Sequence, residues 1–138
     1  MLNLTILSPE KKVTDKLQVK SVTLPGSEGQ IQIFPEHTHM VGTLETGPFA
    51  YEPSAGQAVV GVISHGFFEV KGDEVSVMAE TCELASEIDA NRARTAQKKA
   101  EGALLDPQLD PKNFRKYELK LQRALIRQHI AGSSSLPN

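Results

Sequence analysis

The feature that most constrains this chain is a change in the spacing of its apolar residues between Glu80 and Arg94. Before this stretch apolar and polar residues alternate, as in residues 75–78, which is the period of a β-strand. After it, alanines recur at helical spacing and so share one helix face; they are Ala90, Ala93, Ala96, Ala100 and Ala103. The sequence therefore predicts two architectures that meet at this point.

The first half of the chain predicts short strands separated by turns. Strands are expected at residues 2–7, 13–24, 30–34, 40–44, 49–52, 57–64, 66–71 and 74–79. Within the second of these the alternation changes parity, which predicts a bulge or bend near Lys20 and Ser21. Short strands at this spacing favour an N-terminal antiparallel β-sandwich, which we assign to residues 1–85.

The second half, residues 86–138, predicts a C-terminal two-helix antiparallel hairpin. Asp89 can cap a first helix that runs to about Leu104, and Asp110 can cap a second that begins at Pro111 and runs to residue 131. The apolar side of the second helix is expected to comprise Phe114, Tyr117, Leu121, Ala124 and Leu125. Residues 132–135 predict the end of this helix and the start of a flexible tail. Because each alanine buries little area, the contact between the helices is expected to be weak.

Charge is divided between the two halves. Residues 1–84 contain five Lys, no Arg and eleven Asp or Glu, whereas residues 85–138 contain ten Lys or Arg and six acids. The resulting net charges are −6 and +4. Opposite potentials favour docking of the helices on the strand domain, and they also prepare the helices to meet an acidic partner.

Composition excludes some classes of protein. With 39% hydrophobic and 23% charged residues, the chain has no apolar run approaching the ~18 residues of a membrane span. Residues 1–7 lack a preceding basic segment and are interpreted as a first strand, not a signal peptide. The single cysteine, Cys82, suits a reducing compartment and is expected to be a small apolar filler. Gly61 and Gly66 are expected to permit close packing of strands, because no Gly-Lys-Ser/Thr sequence follows them.

Five segments carry a resemblance as well as a pattern. They are Leu24-Pro25-Gly26-Ser27-Glu28-Gly29-Gln30-Ile31-Gln32-Ile33-Phe34-Pro35-Glu36-His37, Leu44-Glu45-Thr46-Gly47, Gly66-Phe67-Phe68-Glu69-Val70, Val75-Ser76-Val77-Met78-Ala79-Glu80-Thr81 and Ile88-Asp89-Ala90-Asn91-Arg92-Ala93. In this order and spacing they resemble the epsilon subunit of the bacterial F-type ATP synthase. One departure is local: family members usually have Gly-His-Ala-Pro-Leu where this chain has Glu36-His37-Thr38-His39-Met40.

The resemblance implies a non-catalytic rotor subunit, peripheral to the cytoplasmic face of the bacterial plasma membrane. It would link the gamma subunit of the central stalk to the c-ring, and its helices would inhibit ATP hydrolysis by the alpha/beta catalytic hexamer; no nucleic-acid partner is implied. The loop implied to face the c-ring comprises Glu28, Gln30, His37, Thr38, His39 and Met40. The implied contact with the beta subunit comprises Lys112, Arg115, Lys116, Lys120, Arg123 and Arg127. Lys112, Lys116, Lys120, Arg123 and Arg127 recur every three or four residues and form a basic stripe on the second helix. Without the resemblance, this basic stripe would be interpreted as an ordinary solvated helix face.

Residues 88–93 also resemble the motif by which some bacterial epsilon subunits bind ATP in the folded form. The ATP site implied by this resemblance comprises Glu83, Ile88, Asp89, Arg92, Ala93, Lys99, Arg123 and Arg127. Arginines from two helices could neutralise a triphosphate and hold the hairpin closed. No cofactor is required, and ATP would be a regulatory ligand, alone or with Mg. The competing interpretation is that Asp89 only caps a helix and Arg92 only forms a surface or intramolecular ion pair.

Two functions of other classes stay open. Glu36, His37 and His39 could hold a metal in a metal-dependent sandwich enzyme, although no third Cys or His lies nearby in sequence and loop histidines are more often structural or solvated. Stoichiometric zinc or iron would favour that alternative. A freestanding nucleotide sensor would bind ATP and fail to associate with any gamma subunit. We expect neither, because no catalytic grouping and no phosphate-binding glycine loop is apparent.

Overall fold

A computed structural model describes residues 1–133 and 135–136. In these residues nine strands precede two helices, so the predicted fold class, a β-sandwich followed by a two-helix hairpin, is confirmed. The strands are β1 Leu2–Leu7, β2 Lys12–Gly26, β3 Gly29–Ile33, β4 Met40–Leu44, β5 Gly47–Pro53, β6 Val59–Ile63, β7 Gly66–Lys71, β8 Glu74–Ala79 and β9 Cys82–Leu84. A short 3-10 turn, Ala85–Glu87, leads into helices α1 Ala90–Leu104 and α2 Pro111–Ile130.

Strand β2 belongs to both layers of the sandwich. Its first part pairs with β1, and its second part pairs with β3 and β5. The register with β5 shifts between Val19 and Ser21, which confirms the predicted bulge. One layer follows the order β2-β1-β8-β7-β4 and the other follows β3-β2-β5-β6-β9. Strands β1 and β8 run parallel, whereas the other paired strands of the described chain are antiparallel.

Two groups of apolar side chains hold the structure together. The first fills the space between the layers and includes the fully buried Phe49 and Phe68. The second, which we term the docking cluster, lies on the outer face of β6 where the end of α2 meets it. Its buried members are Val60, Val62, Ala85 and Ile130, and half-buried Ala50, Ile88, Ile126 and Leu136 pack against them. The docking cluster therefore joins the helical half of the chain to the sandwich.

Both helices begin where the sequence predicts. The carboxylate of Asp89 accepts hydrogen bonds from the backbone amides of Asn91 and Arg92 at 2.9 and 3.2 Å, and Asp110 accepts one from Asn113 at 2.7 Å. Pro111 occupies the first turn of α2, where a missing amide costs nothing.

The predicted apolar faces are only partly correct. Of the alanine stripe, Ala93 and Ala100 are buried and Ala90 is exposed. On α2, Ala124 is buried, but Phe114 and Leu125 are 43% and 47% exposed. The reason is that α2 packs against both α1 and the sandwich, so the face it buries is set by two partners and not by one periodic stripe.

The chain turns sharply after α2. Gly132 has a φ of +72°, in the left-handed region, and this confirms the predicted helix end. Leu136, which follows the residues where a flexible tail is expected to start, packs on the docking cluster. Ser134, which also belongs to that expected tail, lies outside the described residues. Within the described part of the chain, neither helix is long and apolar enough to cross a membrane.

Candidate functional site

A groove lies between the two helices on the side that carries their basic residues. Its volume is about 390 Å3, within the range of small-molecule sites. The groove has this room because alanines form its floor where larger side chains would fill it. Its lining comprises Ala96, Lys99, Ala100, Tyr117, Lys120, Arg123, Ala124 and Arg127.

The groove carries an excess of positive charge. Lys99 comes from α1, whereas Lys120, Arg123 and Arg127 come from α2. Within residues 1–133 and 135–136, the first three of these cations have no carboxylate oxygen within 4.0 Å. The Nζ of Lys120 lies 5.5 Å from the centroid of the Tyr117 ring, a cation–π contact that holds the ammonium at the groove wall. A concave site lined in this way suits an anionic ligand, because guanidinium and ammonium groups bind phosphate oxygens strongly.

Arg127 differs from the other cations because it is paired. Its Nε lies 2.8 Å from Oε1 of Glu83, and its Nη2 donates a hydrogen bond to Oε2 at 3.2 Å. The two side chains are only 14% and 26% exposed. Although Nε is close to the carboxylate, its N–H makes no directed hydrogen bond to any described residue, so the Nη2 bond and charge attraction hold the pair. This ion pair connects α2 to β9.

Four of the eight residues predicted for an ATP site meet at this groove. Lys99, Arg123 and Arg127 line it directly, and Glu83 reaches it through its ion pair with Arg127. A further contact joins the two helices, where the side-chain amide of Gln128 donates a hydrogen bond to that of Gln97 at 2.6 Å.

The other four predicted residues lie outside the lining of the groove. Asp89 caps α1, and Ile88 packs on the docking cluster. Ala93 is fully buried. The side chain of Arg92 is exposed and makes no hydrogen bond or ion pair with the described part of the chain.

The sequence patterns assigned the other groove residues to different surfaces. Lys120 was expected only in the contact with the beta subunit, and Tyr117 only on an apolar face. The sequence did indicate that Lys120 lies close to the predicted ATP ligand Arg123, because residues three apart are neighbours on a helix surface. The sequence could not show that Ala96 and Ala100 form the floor of the groove, because this depends on how closely the two helices approach each other.

The basic stripe of α2 does not form one uniform solvent-facing surface. Lys112 and Lys116 are exposed, and exposed Arg115 lies 3.6 Å from Glu118. Further along, Lys120 and Arg123 turn toward the groove, and Arg127 is half-buried against the sandwich. Three members of the stripe, Lys116, Lys120 and Arg123, also border a cavity of about 320 Å3 beside the exposed His65–Glu80 pair.

The residues predicted to face a c-ring fall into two places. Glu28 lies in the β2–β3 turn and Gln30 at the start of β3, both exposed. His37, Thr38 and His39 occupy the loop after β3, and Met40 begins β4. The length of β3 separates the two groups by roughly 16 Å, at about 3.3 Å per residue.

In the described chain, no group of three or more His, Cys, Asp or Glu side chains is arranged to hold a metal ion.

The segment that leads from the sandwich to the helices is fixed by a polar clamp. Glu87 Oε2 lies 3.0 Å from Nζ of Lys11, and Oε1 accepts the backbone N–H of Leu84 at 3.1 Å. The bond to Lys11 holds the pKa of the Glu87 carboxyl below its usual range.

Burial raises the pKa of the Cys82 thiol to about 12, so this cysteine stays protonated and fits the expected role of a filler. A Cβ at Gly61 would meet the carbonyl oxygen of Glu83, which explains this glycine as a site of close strand packing.

Comparison with known proteins identifies the family. The beta-sandwich domain model of the ATP synthase delta/epsilon chain matches residues 1–85, and the long alpha-helix domain model of the same chain matches residues 86–132. ATP synthase epsilon chains of Trichlorobacter lovleyi and Geotalea daltonii are each 39% identical, over 97% and 96% of this chain and 96% and 95% of their own lengths. The fold is shared with a chain of the Euglena gracilis mitochondrial ATP synthase, with a TM-score of 0.81 at 22% identity over 93% of this chain and 79% of that chain. The chain therefore belongs to the ATP synthase delta/epsilon chain family and is a non-catalytic member of it.

Proposed function

We propose that the chain is a central-stalk rotor subunit of a bacterial F-type ATP synthase, connecting the gamma subunit to the c-ring at the cytoplasmic face of the plasma membrane. Family membership supports this, and so do the assemblies of its structural relatives, described as OSCP/F1/c-ring in Euglena gracilis and as central stalk/c-ring in Tetrahymena thermophila. The sandwich also exposes large apolar side chains on neighbouring strands, with Val41, Phe67 and Met78 at 65%, 53% and 44% exposure. Such a patch is typical of attachment to another subunit.

In this proposal the two helices inhibit ATP hydrolysis when they leave the folded hairpin. In the hairpin, Arg127 is tied to Glu83 and Arg123 faces the groove, so the basic stripe cannot present all of its charges to a partner. Residues 90–131 arranged end to end as helix would reach roughly 60 Å, at 1.5 Å per residue. Only that extended form would carry the stripe away from the sandwich and up to the alpha/beta hexamer.

ATP would act as a regulatory ligand that favours the folded, non-inhibitory form. The observation that carries this part of the proposal is the groove in which Lys99, Lys120 and Arg123 have no carboxylate oxygen within 4.0 Å among the described residues. Because residues of both helices line the groove, it exists only while the helices lie side by side. Ligand binding therefore stabilises the folded form alone. At a ligand concentration about one hundred times its Kd, it would stabilise that form by about 2.7 kcal/mol.

The test is a titration of the isolated chain, with fluorophores attached after Lys98→Cys and Gln122→Cys substitutions on the exposed sides of the two helices. The native thiol of Cys82 will not take up the label, because it is buried and its pKa is raised. ATP, with or without Mg, should increase the fraction of molecules with the short interhelical distance. A balanced equilibrium would shift to roughly 99% folded at a hundredfold ligand excess.

The control compares two arginines of the helices. Arg123→Gln removes a cation from the groove and should weaken ATP binding at least tenfold, since a charge-assisted hydrogen bond contributes about 1.5–3 kcal/mol. Arg94→Gln removes an exposed cation of α1 that does not line the groove, and should leave binding unchanged. Equal affinity of the Arg123 variant and the parent, or an interhelical distance that millimolar ATP does not alter, would contradict regulation by ATP while leaving the rotor function standing.

A further inference from the structure

The segment that follows α2 turns back toward the sandwich. The N–H of Gly132 donates a hydrogen bond to the carbonyl oxygen of Ala85 at 3.1 Å, and the N–H of Ser133 donates to that of Ile130 at 2.8 Å. The left-handed backbone of Gly132, with φ at +72°, supplies the change of direction. The chain thus leaves the helix axis at a bond to the 3-10 turn that joins the two halves of the protein.

Leu136 then returns to the outer face of the sandwich. It is half-buried and packs against the docking cluster. Together with Ser135 it borders a groove of about 210 Å3 over strands β2, β5 and β6, whose other lining residues are Ser21, Thr23, Ala50, Tyr51, Glu52, Ala58 and Val60. An apolar side chain of the tail thereby covers part of a sheet face that the helices leave uncovered.

We propose that residues 131–133, together with Ser135 and Leu136, form a strap that holds the end of α2 on the sandwich. Leu136 follows Ile130 by only six residues, so it can contact the docking cluster only while Ile130 is docked. The apolar area that it buries therefore stabilises the docked helix and contributes nothing once the helix leaves. This role rests on contacts within the isolated chain, and it does not depend on ATP binding or on inhibition of hydrolysis.

The strap can be tested by amide hydrogen exchange of the full chain. Leu136→Ser should speed exchange of the amides in the last two turns of α2 about fivefold, because part of a leucine side chain no longer stabilises the docked state. The matched control is Leu105→Ser in the loop between the helices, where the leucine is 83% exposed. That variant should leave exchange in the last two turns of α2 at the parent rate. Strands β1 and β8 report on the sandwich, and neither variant should alter their exchange.

A second variant removes the contact without introducing a polar group. A chain that ends after Ser133 keeps both hydrogen bonds of the turn and loses Leu136. It should accelerate exchange at the end of α2 as much as Leu136→Ser does. The proposal is overturned if both variants exchange within twofold of the parent. It is also overturned if Leu105→Ser accelerates exchange equally, since the effect would then be unrelated to the docking cluster.

Discussion

Replacement of Ile130 by alanine should release α2 from the sandwich while leaving the sandwich folded. Ile130 is 1% exposed at the centre of the docking cluster, in contact with the outer face of β6. Truncating a fully buried isoleucine to alanine costs about 2–5 kcal/mol, and we take about 3 kcal/mol here. The core between the two layers is a separate group of side chains, so this cost falls on helix docking. The ratio of docked to undocked molecules should therefore fall about a hundredfold.

The measurement is native-state hydrogen exchange of the isolated chain, read separately for α2 and for the sandwich strands. Leu125→Ala is the matched control, because it removes the same number of carbon atoms from the same helix at a position that is 47% exposed. Amides of α2 should exchange about a hundredfold faster in the Ile130 variant, and less than about fivefold faster in the control. Exchange in β1 and β8 should be the same in the parent and both variants.

Two outcomes would refute this reasoning. If Ile130→Ala accelerated the sandwich strands as much as α2, the helices and the sandwich would unfold as one cooperative unit, and the two clusters would not be energetically separate. If the Ile130 and Leu125 variants behaved alike, burial of Ile130 would not be what holds α2 in place. A loss of all protection would instead indicate global unfolding, which the exchange of β1 and β8 would reveal.

Three further predictions concern the ties between the two halves. Glu83→Gln and Arg127→Gln should each speed exchange of α2, and a double-mutant cycle should give a coupling of about 1–2 kcal/mol; additive effects would exclude a direct ion pair. Because Lys11 lowers the pKa of Glu87, the stability that this pair contributes is present above the unfolded pKa of about 4.3 and is lost as the pH falls through the lower folded pKa. The free energy of unfolding of Glu87→Gln, measured by urea denaturation, should therefore be lower than that of the parent at pH 7 by under ~1 kcal/mol, since both groups are exposed, and should match it near pH 2. Deleting residues 90–138 should leave a folded sandwich and an ATP synthase with higher ATPase activity, whereas loss of assembly would contradict the proposed division of labour.

Local signals predicted most of the fold. Strand and helix positions followed from apolar spacing, and the caps at Asp89 and Asp110 followed from residue type. Pairing between distant strands did not follow, because alternation shows which face a residue occupies and not which strand lies beside it. The parallel pairing of β1 with β8 and the three-residue strand β9 are of this kind.

The candidate site could likewise be predicted from the sequence only in its local features. A basic stripe on a helix identifies residues that share a face, but its sequence does not say what that face meets. Lys120 was for this reason assigned to a partner surface, although it lines the groove between the helices. Glu83 and Arg127 were both predicted as ligands of ATP, and the structure pairs them with each other across 44 residues of sequence. Such a pair becomes visible only when β9 and α2 are placed in three dimensions.

The contacts of the hairpin are unevenly distributed along its length. At the end near the sandwich, Ile130 is buried and Arg127 is paired. At the far end, Leu105 and Phe114 are 83% and 43% exposed, and alanines contribute only about 0.8 kcal/mol for each buried carbon group. The groove lies between these ends. Its cations Lys99, Lys120 and Arg123 have no carboxylate partner in the described part of the chain, and their mutual repulsion favours separation of the helices. An anion bound there would replace this repulsion with attraction between the two helices, so a ligand of modest affinity could control whether the hairpin stays closed.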